Sequence, residues 1–216
     1  MTKTSVSFKR EEKRTRTVGL SRSGQREIQI EVNSPELQRD AEAFLEFVVR
    51  YTQDSGRRIL PGETFPYGYW LVKFQEWDEW LELWEYNAAA TEFVRGASLT
   101  LTYWREQHQV CDRFGGSFTP PRPDRLTVID EGVYEGLPVQ AVRYWSPEHM
   151  SGWWITTDRY DGNVSTLRRE HTYHITAARP DLAAYIALPY GFRFELGRSQ
   201  SDAWLDDAVA ADTSAT

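Results

Sequence analysis

Residues 26–32 (REIQIEV) alternate polar and apolar positions, which places Ile28, Ile30 and Val32 on one face of a strand. Ser34-Pro35-Glu36 follows with a capping hydroxyl, a proline at the first helical position and an acid in the first turn. Leu37, Ala41, Phe44, Leu45, Val48 and Val49 then recur at helical spacing, predicting an amphipathic helix from Pro35 to about Gln53, closed by Gly56. Residues 69–74 (YWLVKF) and 80–86 (WLELWEY) are rich in strand formers, with residues 76–79 as their connection. In the second strand Leu81, Leu83 and Glu85 share a buried face. Trp80, Glu82, Trp84 and Tyr86 share the other, mixing aromatics with acids. Residues 87–95 read as a short helix or turn. Residues 99–104 read as a strand, and 105–113 as its continuation or a helix.

Gly115-Gly116 and Pro120-Pro121-Arg122-Pro123 form the sharpest break, separating an N-terminal part (26–113) from a C-terminal part (124–196). In the latter, residues 125–130, 139–144, 153–157 and 192–196 read as strands, and 171–176 as a strand or loop. Residues 180–188 read as a short helix begun by Pro180 and closed before Pro189. The fold class is α+β: a mixed or antiparallel sheet with a long N-terminal amphipathic helix and a short C-terminal helix packed against it. Residues 1–25 are expected to be a flexible basic leader and 197–216 a flexible tail.

The chain has 216 residues, 40% hydrophobic and 14% aromatic with nine Trp, enough for a sizeable core. Its single Cys111 excludes an intrachain disulfide and a cysteine-rich zinc module. No apolar run approaches the ~20 residues that span a bilayer, and the charged N-terminus has no secretory h-region, so a cytoplasmic location is expected. The net charge of −7 is unevenly spread. Residues 1–26 hold eight Lys or Arg against Glu11 and Glu12, leaving a strongly acidic remainder. An acidic folded body disfavours nucleic acid and suits a basic protein partner.

Catalytic constellations fail one by one. His171 and His174, with Glu170 before them, lie three apart, whereas a helical two-histidine metal site needs four with Glu between. On a strand their rings would point to opposite faces. His108 and Cys111 lack an orienting third group, and a buried thiol is expected. Asp158, Asp161 and Asn163 around Gly162 begin a calcium loop without its closing Glu, so a polar turn is expected. No phosphate-binding loop and no Gly-x-Ser-x-Gly elbow is present. The strongest surface candidate is Glu76, Asp78, Glu79, Glu82 and Glu85 interleaved with Trp77, Trp80 and Trp84, of which Trp77 is assigned to the contact, with Glu148, Trp153 and Trp154 as a second patch. No cofactor and no metal is expected. The competing reading is a small-ligand or metal-binding enzyme using His171/His174 and Trp153/Trp154; another is a scaffold held by the basic N-terminus.

The C-terminal part carries, in order, Val139 with Arg143-Tyr144, Glu148, Ser151-Gly152-Trp153, Pro180-Asp181, Ile186, then Pro189, Gly191 and Phe194. This order and spacing resembles immunity protein family thirty-three of bacterial polymorphic toxin systems. Met150 stands where that family usually has Asp, and the N-terminal half lies outside the pattern. The resemblance implies a non-enzymatic protein that neutralises a cognate toxin by direct contact. A toxin acting in the cytoplasm, and basic enough to complement an acidic inhibitor, is the expected partner.

Overall fold

A computed structural model describes residues 5–197 and 201–212. The chain divides into two compact units, Met1–Arg105 and Glu106–Thr216. The N-terminal unit contains β1 (Ser7–Glu11), β2 (Arg14–Val18), β3 (Ile28–Glu31), α1 (Gln38–Ser55), β4 (Thr64–Tyr67), β5 (Trp70–Trp77), β6 (Trp80–Tyr86) and β7 (Phe93–Arg95). Its sheet runs β1-β2-β3-β6-β5-β4, with β7 beside β6; β3 and β6 are parallel and the other pairs antiparallel. α2 (Ser98–Phe114) follows, and the division between units falls inside it.

The helix expected from residue 35 is present as a 3-10 turn, Pro35–Leu37, leading into α1. Ala41, Phe44, Leu45, Val48, Val49 and Thr52 are its buried face. Gly56 ends it in the left-handed region, its N–H donating to the Thr52 carbonyl at 3.0 Å. Phe44 meets Tyr67 edge-on at 4.5 Å, and Tyr67 stacks on Trp104 at 4.2 Å. The helix is not N-terminal, however. Residues 7–18, expected as a leader, form the β1–β2 hairpin. Thr15 and Thr17 alternate inward, and Thr17 donates to Glu27 at 2.6 Å while accepting from the Ile28 N–H at 2.8 Å. The buried positions there are threonines among arginines, so charge masked a period-two pattern.

The second correction is α2. Its Thr-, Tyr- and Trp-rich start suggested a strand, yet Thr100, Tyr103, Gln107 and Cys111 are buried at helical spacing. Residues 88–89 form the expected turn, but residues 93–95 are strand β7.

The C-terminal unit contains β8 (Leu126–Ile129), β9 (Val139–Arg143), β10 (Met150–Thr156), β11 (Arg168–His171), α3 (Thr172–Ala178), β12 (Phe192–Leu196), β13 (Ser201–Leu205) and α4 (Asp207–Ala211). The sheet order is β11-β8-β10-β9-β12-β13, mixed because only β8 and β10 are parallel. Residues 172–176 are therefore helix, not strand or loop. Residues 180–188 form a 3-10 turn, Pro180–Leu182, and further turns in place of the expected helix. Their carbonyls are committed elsewhere: Ala183 accepts from Gln107 at 2.8 Å and Ile186 from Trp153 Nε1 at 2.9 Å. Part of the expected tail is structured too. Ala203 of β13 is buried beside β12, and Asp206 caps α4 by accepting from Ala208 and Val209. Residues 1–4, 198–200 and 213–216 of the leader and tail expectations lie outside the described residues.

Candidate interaction surfaces

The acidic run splits into two groups. Strands β5 and β6 pair from Val72↔Glu85 to Trp77↔Trp80, so only Asp78 and Glu79 form the turn, Asp78 with φ +51°. Glu76, Trp77, Asp78 and Glu79 are exposed at this tip, Trp77 at 44%. Glu76 pairs with Arg26 at 2.7 Å, and the Arg95 guanidinium lies 4.8 Å from the Trp77 ring. Arg16 covers Trp80 in the same way at 5.0 Å.

Glu82 and Glu85 do not belong to that surface. Glu82 is fully buried, accepting from Gln29 at 3.1 Å and pairing with Arg95 at 2.7 Å. That pairing holds the Arg95 guanidinium above its ordinary pKa. Glu85, 5% exposed, accepts from the Leu99 and Thr100 N–H groups at 3.0 and 2.6 Å, filling the N-terminus of α2. Burial raises its pKa against the lowering effect of those amides. Glu85 lies on the Leu81–Leu83 face expected to be buried, whereas Glu82 is buried on the opposite face, contrary to the one-sided strand expected.

In the C-terminal unit the motif closes around one cation. Arg143 is 1% exposed. Its Nε donates to the Ser151 carbonyl at 3.0 Å, and Nη1 to the carbonyls of Thr119 and Leu188, each at 2.5 Å. Its guanidinium lies 4.5 Å from the Tyr190 ring and 5.7 Å from that of Trp153. Desolvation lowers its pKa to about 10. Gly152 has φ +85°, and an added Cβ would overlap the Tyr144 carbonyl oxygen and come within 2.9 Å of Tyr190. Ser151 Oγ shares a hydrogen bond with Thr127 at 2.7 Å, and Thr127 another with Thr172 at 2.9 Å. Arg143, Ser151-Gly152-Trp153, Ile186 and Pro189-Tyr190-Gly191 thus form a single buried joint between the sheet and the 180–191 segment.

The second patch separates accordingly. Trp153 is fully buried and cannot meet a partner, whereas Trp154, one residue on, lies half-buried on the opposite face of the sheet. Glu148, with 93% of its side chain exposed, lies 3.8 Å from Arg125. These two border an open cleft of about 520 Å³ with Arg122, Asp124, His149 and His171. His171 ends β11 and His174 lies in α3, their ring centroids 5.7 Å apart in an edge-to-face contact beside Tyr173. Among the described residues no group of three or more His, Cys, Asp and Glu is placed to hold a metal ion. Cys111 is buried, and its thiol pKa is pushed from 9.0 up to about 11. Asp161 and Asn163 form the expected polar turn, Asn163 capping a 3-10 turn by accepting from Ser165 at 3.1 Å.

A third surface went unread in the sequence. Across the sheet, Arg169, Val128, Trp154, Val142, Arg193 and Trp204 stand directly opposite one another in neighbouring strands and share one face, on which Val128 is buried and lines a cleft with Trp154, Val164 and Leu167. The other face is the core, with Ile129, Ile155, Ala141, Phe194 and Ala203. The signal was period-two alternation in β13 (Asp202, Trp204 out; Ala203 in), hidden because residues 197–216 look like a polar tail.

Each unit is an α+β layer with one distinctive exposed feature among the described residues: an acidic hairpin tip in the N-terminal unit, an aromatic sheet face in the C-terminal one. Surfaces of this kind are of the type through which proteins meet one another. Residues 106–206 match the family model of the Imm33-like domain, so the C-terminal part carries the immunity-protein resemblance that its motif announced. No curated protein and no solved structure matches the chain. No helix among the described residues is long and apolar enough to cross a membrane.

Proposed function

We propose that this chain is an immunity protein that binds a cognate bacterial toxin in the cytoplasm and blocks it by direct contact, without catalysis. The observation that carries this reading is the Imm33-like match over residues 106–206. The contact surface we assign is the β5–β6 tip, Glu76, Trp77, Asp78 and Glu79. An exposed tryptophan there supplies contact area, and carboxylates at a hairpin turn steer a basic partner. Glu148, fully accessible on the other unit, is the remaining acidic candidate; Trp154 is accessible in part.

The test is capture and protection. The full chain should co-purify with the product of the neighbouring reading frame and rescue cells expressing that product. Asp78→Lys with Glu79→Lys should weaken capture by roughly tenfold or more, mostly through slower association. A neighbouring product that neither binds the chain nor harms cells lacking it would remove the reading.

A further inference from the structure

We infer that the partly exposed aromatic face of the six-stranded sheet in the C-terminal unit is a homodimer interface, its occupant a second copy of this chain. The face carries a row of Trp154, Val142, Arg193 and Trp204, with Tyr144 meeting Trp154 edge-on at 6.2 Å. Trp, Tyr and Arg are the residue types enriched where proteins meet. Trp204 is 38% exposed.

The charges on this face are sorted by position. At the β11 edge stands Arg169, exposed and outside the ion pairs formed among the described residues. At the opposite edge Glu195 of β12 stands directly across from Asp202 of β13, both exposed and likewise outside those ion pairs. Asp158 lines the same acidic cleft, of about 590 Å³, with Gln140 and Tyr160. Like charges directly opposite destabilise a strand pair, and a cation brought between them relieves this.

A twofold axis lying in the interface and parallel to the strands, between β10 and β9, reverses strand order from one copy to the other. It therefore sets β11 over β13, β8 over β12 and β10 over β9. Arg169 then meets Trp204 of the other copy, beside Asp202, and Trp154 meets Val142, with the same contacts repeated on the other side of the axis. The basic edge covers the acidic edge twice. Five strand spacings of about 4.8 Å and strands of about 17 Å cap the footprint at roughly 400 Å² per copy, less where Val164 and Leu167 stand beside Val128 and Trp154. That is about half of the ~800 Å² per partner of a standard interface. The dimer is accordingly concentration-dependent.

Sedimentation velocity on the full chain, across a concentration series at low and high salt, tests this. The expected result is a monomer–dimer equilibrium that weakens as salt rises. Trp154→Glu should abolish the dimer. Arg169→Glu alone, and Glu195→Lys with Asp202→Lys, should each weaken it at least about tenfold, while the triple variant restores association because the charges are exchanged together. Thermal melts of each variant separate loss of contact from loss of fold; restoration in the triple variant requires a folded face. A chain that stays monomeric at millimolar concentration overturns the inference, as does a dimer indifferent to these substitutions. So does a monomer whose Trp154→Glu variant loses capture of the neighbouring gene's product, since the face would then be the toxin's.

Discussion

Arg143 is a buried cation held by carbonyl oxygens. Replacing it with Met strands the acceptors of Ser151, Thr119 and Leu188 in the core, at about 3 kcal/mol or more of stability, read by urea denaturation. Arg143→Lys should recover only part, because one ammonium cannot reproduce the planar fork. Cys111 gives a pH-dependent counterpart. Its folded pKa of about 11 lies above the ordinary 9.0, so its contribution to stability is complete below 9 and is lost as pH rises through 11. Alkylation at pH 8 should be negligible until denaturant is added, as mass spectrometry will report. At this scale residue type and spacing do not reveal which side chains are accessible. Trp153, Glu82 and Glu85 look identical on paper to Trp154, Glu76 and Glu79; what separates them is which face a neighbouring strand or helix covers, and no local spacing contains that.

Among the elements, α1, β3, β5, β6, β8, β9 and β12 were legible because their periodicity and their turn residues agree. The β1–β2 hairpin and α2 were not. In the hairpin, threonines are the buried positions; in α2, strand-forming residues yield to a helix whose first turn is anchored from outside by Glu85. Glu85→Ala should therefore lower stability by about 1–2 kcal/mol by orphaning two helix N–H groups. The folded pKa of Glu85 is raised above 4.5, so its contribution is largest below pH 4.5 and shrinks as pH rises through the folded value. The loss in Glu85→Ala should accordingly be greater at pH 4 than at pH 7, measured by thermal unfolding at both. On β12 and β13, Glu195→Lys should stabilise the free chain by a few tenths of a kcal/mol, by ending a like-charge pair.

For the whole chain, the family match begins where the second compact unit begins, so the motif-bearing half is a structural unit in its own right. The motif announces that half well because its Ser151-Gly152-Trp153 and 186–191 segments close around Arg143: that part is a folding signature. Binding surfaces leave a fainter trace, since exposed side chains are constrained by a partner the sequence does not contain. The basic N-terminal run illustrates the same limit. Arg10, Arg14 and Arg16 are engaged with Glu42, Glu31 and Glu11, so the charge that suggested a free leader largely serves the sheet. The central claim, neutralisation by direct contact, is tested most directly by titrating the full chain against the purified product of the neighbouring reading frame while following both binding and that product's toxicity. The account predicts saturable binding with matching loss of toxicity, weakened at least about tenfold by Asp78→Lys with Glu79→Lys and by raised salt. Protection without binding, or binding that leaves toxicity intact, would contradict it.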